Sequence, residues 1–176
     1  MSNEGALRVR VATVDDAAGI AQVRVRGWQA GYDGIVPSEI LEAMSIEADA
    51  RRVREWDWST EAVRSWVCSL GEETVGWTSA MFPARDADGE PGVGEIAACY
   101  AVPEVWGMGV GHRMAEVAVA WLRGAGADSV TLWVLEQNER AQRFYRRQGF
   151  ELDGRSKQDP MLEGTQLRSV RMRRRL

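Results

Sequence analysis

Lysine, histidine and cysteine are nearly missing from this chain. Lys157 is the sole lysine and His112 the sole histidine. The two cysteines, Cys68 and Cys99, are too few and too far apart to found a disulfide framework or a metal site. Each sits in an apolar, strand-like run and reads as a buried free thiol. Excess positive charge is missing too: the net charge is -4, which gives no global case for nucleic acid as a partner. No apolar stretch reaches the ~20 residues of a membrane span. Met1 to Leu7 has neither a basic start nor an apolar core, so no export signal is expected there and a reducing, cytoplasmic setting is.

What is present belongs to a folded chain. At 176 residues with 45% apolar content, one domain spanning 1–176 is the natural expectation. Eight tryptophans bring large buried area with a polar edge. Leu7 to Ala12 alternates apolar residues with Arg8 and Arg10, the pattern of a half-buried strand. Thr13 and the acids after it open a helix over Ala17–Trp28, broken by Gly31 and Gly34. Pro37 opens a second helix, and Glu47–Trp58 reads as a charged third. Val63–Leu70 and Thr74–Phe82 form a hairpin about Gly71. A polar loop, Pro83–Gly94, leads into a strand over Gly94–Val102. After it come a helix, a β-rich run at Ser129–Leu135, a helix over Asn138–Arg147, a strand starting at Phe150–Leu152 and a last strand at Gln166–Arg173. The arginines at 168, 171, 173, 174 and 175 read as a solvated strand edge and tail. The whole is mixed α/β.

The most informative segment is Trp106-Gly107-Met108-Gly109-Val110-Gly111, between the strand closed by Pro103 and the amphipathic run from His112 to Arg123. A glycine-rich turn between strand and helix aims several backbone N–H groups at one spot, at the positive end of a helix dipole. That spot suits a phosphate or diphosphate. Two nucleotide-binding patterns fail on spacing. Neither register completes G-x-G-x-x-G, because His112 and Met114 fall on the third glycine position; and Gly111 is followed by His112 rather than by the Lys-Ser/Thr of a P-loop.

With a second block, Asn138, Ala141, Phe144-Tyr145 and Gly149-Phe150, the chain resembles the GCN5-related N-acetyltransferase (GNAT) superfamily. The likeness is strongest from Gly94 to Gly154. In the family pattern a Gln or Arg is followed, after two residues, by Gly, one residue, and Gly or Ala. Gly109 and Gly111 match the last two fixed positions. Trp106 stands where Gln or Arg is usual, keeping only the backbone N–H.

The resemblance implies a single-domain α/β fold with a mixed, mostly antiparallel, splayed sheet flanked by helices, its cofactor-binding core at 94–154. It implies acetyl-CoA as co-substrate, with no metal, and a small-molecule primary amine as acceptor. Residues 106–112 (Trp106, Gly107, Met108, Gly109, Val110, Gly111, His112) would cup the diphosphate. Ala101 and Val102 would hold pantetheine, with backbone donors near Val102 on the acetyl carbonyl, and Asn138 would cap its helix and touch the pantetheine arm. Tyr145 is the expected general acid for the leaving thiolate, since a phenol with pKa near 10 keeps its proton at neutral pH. Glu95 is the expected base, as a protonated amine must lose a proton before attack. Trp28, Tyr32 and Trp77 are candidates to wall the acceptor pocket, core packing being their alternative. Cys99 as a covalent nucleophile has no base identifiable beside it. The His112 ring is expected to be exposed and idle, and Glu104 to be a surface residue. Two other readings stay open: an acyl-CoA sensor without turnover, and a lysine or N-terminal protein acetyltransferase. A homodimer is compatible with the sequence.

Overall fold

Alternation of apolar and polar side chains becomes strand, and 3.6-residue periodicity becomes helix, in the computed structural model of the chain, which describes residues 6–87, 90–159, 162 and 164–176. The expectations at the extreme N-terminus and at Asp88-Gly89 of the polar loop lie outside the described residues. Strand β1 spans Leu7–Val11. Thr13 and Asp16 then form a reciprocal capping box, and Arg10 grips the Asp16 carboxylate at 2.6 Å. Three helices follow: α1 (Ala17–Gly31), α2 (Ser38–Glu42) and α3 (Ile46–Arg54). Next come β2 (Val63–Leu70), β3 (Glu73–Met81), β4 (Val93–Ala101), α4 (Val110–Gly124), β5 (Ser129–Leu135), α5 (Glu139–Arg147), β6 (Glu151–Gln158) and β7 (Arg168–Arg175).

The strands form one sheet in the order β1-β2-β3-β4-β5-β7-β6. Every neighbouring pair is antiparallel except β4 with β5. That parallel pair is brief. Val93, Gly94 and Glu95 pair with Ser129, Val130 and Thr131, and the ladder stops there. On their outer sides both strands stay paired much further, β4 to Ala101 against β3 and β5 to Leu135 against β7. A register shift beside Ser79 drops Ala97 from the β3–β4 ladder, a bulge that bends β4 where it leaves β5. The sheet is therefore open along its middle.

Helices cover both faces. On one face Gly27 of α1 lies against Tyr100, and Trp56 reaches Trp77 with ring centroids 5.6 Å apart. On the other, Trp121 of α4 meets Trp66 edge-on at 5.9 Å. Ile20, Met114, Leu122, Leu132, Phe150 and Met172 are fully buried between these layers. Each such side chain contributes about 1.5–3 kcal/mol by leaving water. Asp49 binds α3 to α1 through Arg24 at 2.5 Å.

Several boundaries differ from the sequence reading. α1 runs on to Gly31, since a helical glycine costs only about 1 kcal/mol. α3 ends at Arg54 instead of Trp58, which frees the Trp58 indole N–H to donate to the Val53 carbonyl at 3.1 Å. The arginine-rich last strand is not an edge: β7 lies between β5 and β6. Arg171 is accordingly buried, paired with Asp153 at 2.7 Å, while Arg173 pairs with Glu90 at 2.5 Å. β6 is the true edge and extends to Gln158, a polar run with no alternation to betray it. Among the described residues no helix is long and apolar enough to cross a membrane.

Candidate active site

A cavity of about 480 Å³ occupies the opening between β4 and β5. Its walls are Ile96–Ala101 of β4, Leu132–Val134 of β5, the turn before α4, and α5. Gly27, Gly31 and Tyr32 close it from α1.

The turn is built as a cup of amides. Gly107 and Gly109 both hold φ +84, a left-handed conformation that side chains resist. Gly111 serves packing: a Cβ there would stand 3.2 Å from the Phe144 ring, so this glycine lets α4 and α5 approach. The two sequence blocks thus meet in space. Not every amide in the turn is available. Those of Trp106 and Met108 donate to the Pro103 and Val105 carbonyls, each at 3.1 Å. Among the described residues, the amides of Gly107, Gly109, Val110, Gly111 and His112 keep no backbone partner. Met108 points to solvent and leaves the cavity wall. The expected seven-residue cradle is therefore narrower than the motif.

The expected donor near Val102 moves by one position. Val102 N–H is bonded to the Val75 carbonyl of β3 at 3.0 Å, and Val102 does not line the cavity. In an antiparallel ladder alternate residues face opposite ways. With Val102 turned to β3, the backbone groups of Ala101 and Cys99 face the opening. The Ala101 carbonyl is held by the Trp106 indole N–H at 3.0 Å. That leaves the Ala101 amide and both polar groups of Cys99 along a strand edge without a neighbour.

Across the cavity, Asn138 caps α5 by accepting from Ala141 N–H at 3.0 Å, as its sequence position implied. Its Nδ2 makes no hydrogen bond among the described residues. Tyr145 lines the cavity, backed by Phe144 at 5.0 Å and Phe150 at 5.8 Å. Burial, and then the neighbouring Cys99 and Tyr100, raise its pKa well above the ordinary phenol value. Burial also pushes the Cys99 thiol up to about 11, which disfavours the thiolate a covalent mechanism needs. Burial raises the phenols of both Tyr32 and Tyr100 above the ordinary value.

Glu95 is not brought to this chemistry. It is buried beneath Arg85, whose backbone N–H and guanidinium Nε reach its carboxylate at 3.0 and 3.2 Å, and it does not line the cavity. It marks the last paired step before the strands part. Trp28 also misses the wall. It is core, packed with Val36, Leu41, Leu135 and Leu162, and supports Tyr32 edge-on at 4.8 Å. Trp77 is core as well, stacked under Tyr100 at 6.0 Å. His112 contributes its backbone to the cup, while its ring nitrogen meets Gln148 at 2.7 Å. Glu104 is exposed and pairs with Arg26.

Sequence reasoning missed Tyr100, Trp133 and Arg140, all on the cavity wall. Tyr100 was findable, since it neighbours Ala101 on the strand already singled out. Arg140 has a weaker signal, a position two residues after Asn138. Its guanidinium lies over the Trp106 ring, 3.3 Å from the centroid.

A sheet parted between its fourth and fifth strands thus brings an amide cup at one end of the opening and an Asn-capped helix with an inward tyrosine at the other around one cavity. The comparisons give the family. The chain belongs to the Acetyltransferase (GNAT) family, whose model matches residues 29–150, and it is an N-acetyltransferase using acetyl-CoA as donor. An uncharacterized N-acetyltransferase of Bacillus subtilis, YuaI, is 26% identical over 130 residues, 74% of this chain and 72% of that one. A mycothiol acetyltransferase of Thermobispora bispora is 30% identical over 142 residues, but the match spans 73% of this chain and only 46% of the relative. The fold is shared with the PaiA N-acetyltransferase of Thermoplasma acidophilum, solved with coenzyme A, at TM-score 0.76, 18% identity and coverage of 97% and 99%.

Proposed function

We propose that the enzyme acetylates a primary amine of a small molecule by direct attack within a ternary complex. One observation carries this reading: β4 leaves β5 after Glu95, and its unpaired edge, the amide cup and Tyr145 all face the same cavity. Pantetheine is an extended chain with amides. It fits the vacant edge of β4 as an added strand would, donating and accepting at Cys99 and Ala101. The diphosphate lies on the amides of Gly107 and Gly109–His112, where helix and turn donors converge. A cavity of about 480 Å³ is in the size range of small-molecule sites, room for the reactive arm of the donor.

In the reaction the amine nitrogen bonds to the acetyl carbon as the carbon–sulfur bond breaks. A β4 amide holds the carbonyl oxygen. One such donor lowers the barrier by roughly 3 kcal/mol where it has been measured. Tyr145 delivers its proton to the departing sulfur. The proton lost by the amine goes to water, because Glu95 is held by Arg85. Tyr32 and Tyr100 shape the acceptor end.

Titration calorimetry with coenzyme A tests the first half of this reading, and the expected result is saturable binding at one site. Free thiol release from acetyl-CoA over a panel of amines tests the second. Tight binding with no release from any amine would instead favour a sensor. The role of Glu95 has its own check. Glu95→Gln is expected to leave the pH dependence of kcat where it is, with the acid limb following the pKa of the acceptor amine. A displaced limb would return base duty to Glu95.

A further inference from the structure

The contact between Trp106 and Arg140 has no part in the chemistry above, yet it spans the cavity. Trp106 stands in the turn after β4, and Arg140 comes from the first turn of α5. The indole is fixed at its far edge by the Ala101 carbonyl at 3.0 Å. Its face carries the Arg140 guanidinium at 3.3 Å. Both residues line the cavity.

Arg140 differs from the ion-paired arginines of the fold. Arg10, Arg24, Arg85, Arg171, Arg173 and Arg174 each meet a carboxylate. Arg140 pairs with none among the described residues; only burial acts on it, lowering its pKa from the ordinary value. A cation left without a counter-charge beside a cup of unpaired amides is suited to an anion.

Resting on the acyl-CoA reading, we propose that Arg140, held on the Trp106 ring, grips the diphosphate of coenzyme A and so supplies, from α5, the polar side chain that the turn lacks at position 106. Only arginine can do both jobs at once. Its planar face stacks on the indole while its edge presents donors in a fork that matches phosphate oxygens. Trp106 is then a platform for a positive charge.

The test is calorimetry with four variants and three ligands. Coenzyme A carries the diphosphate and the 3′-phosphate, dephospho-coenzyme A only the diphosphate, and S-acetylpantetheine neither. Arg140→Ala is expected to weaken coenzyme A and dephospho-coenzyme A alike, by roughly 10- to 100-fold, and to leave S-acetylpantetheine unchanged. Arg140→Lys recovers only part of the loss. Trp106→Ala weakens the same two ligands, and the double variant Trp106→Ala/Arg140→Ala adds little to either change, because one side chain acts through the other. Unaltered affinity of Arg140→Ala for coenzyme A overturns the inference alone. So does an equal loss of S-acetylpantetheine, which would mark a structural role, or a loss confined to coenzyme A, which would place the arginine on the 3′-phosphate. Failure of the unmodified protein to bind coenzyme A removes the acyl-CoA reading itself, and this proposal with it.

Discussion

Tyr145→Phe is expected to lower kcat for the best amine of a panel by about 100-fold and to leave coenzyme A affinity unchanged. General acids contribute about 10²- to 10⁴-fold, and Tyr145 belongs at the lower end. A departing thiolate has a conjugate pKa near 8.5, whereas burial holds the Tyr145 phenol well above 10. Proton transfer between them is uphill at neutral pH, so much of the benefit is a hydrogen bond to the developing negative sulfur. The same shift fixes the pH profile. A group with a raised pKa keeps its proton below that value, so Tyr145 produces no alkaline limb through neutral and mildly alkaline pH. Stopped-flow or thiol-release kinetics of wild type and variant across pH 6 to about 9.5 read both effects. A wild-type rate in the variant would remove the phenol from the role of donor to sulfur; a wild-type alkaline limb near pH 8 that vanishes in the variant would keep that role and overturn the raised pKa.

The cavity was legible in outline from two short blocks, because each encodes backbone geometry. Gly107 and Gly109 are glycines for their positive φ, and Asn138 is an N-cap; both requirements are local and survive in sequence. What failed to appear was settled by pairing partners far along the chain. Val102 was a natural candidate donor until β3 claimed its N–H through Val75. Glu95 was a natural base until Arg85, ten residues earlier, folded over it. Trp28 lies in the last turn of α1 and Tyr32 just past its end, yet only Tyr32 reaches the cavity, while Leu135 and Leu162 pack with the indole. The final strands misled for a related reason. A cluster of arginines resembles an exposed edge and tail, but β6 pairs outside β7 and Arg171 is a buried, acid-paired residue. Local conformation could be read from the residues alone; the occupancy of a donor or an acid depends on tertiary contacts.

Phe150 shows how stability and catalysis meet in that second block. Its side chain is fully buried, its ring packs edge-on to Tyr145 at 5.8 Å, and its N–H donates to the Tyr145 carbonyl at 3.0 Å. Gly149, at φ +83, turns the chain at the end of α5 so that this ring enters the core. Phe150→Ala therefore removes core volume directly behind the proposed acid. The expected loss is about 3–5 kcal/mol, against the ~5–15 kcal/mol that holds a domain together, and a fall in Tm of roughly 6–20 °C. Phe150→Leu keeps most of the apolar volume and is expected to cost about 1–2 kcal/mol. It should bind coenzyme A normally, since the amide cup is formed by the turn before α4 and that helix's first residues. Its kcat should nevertheless fall, because the Tyr145 ring has lost the flat surface that orients it. Thermal unfolding with calorimetry and turnover on both variants separates the two contributions. If Phe150→Leu keeps full turnover, Tyr145 is positioned by Phe144 and the helix alone; if Phe150→Ala unfolds no earlier than wild type, the junction of α5 with the sheet is not the core contact described here.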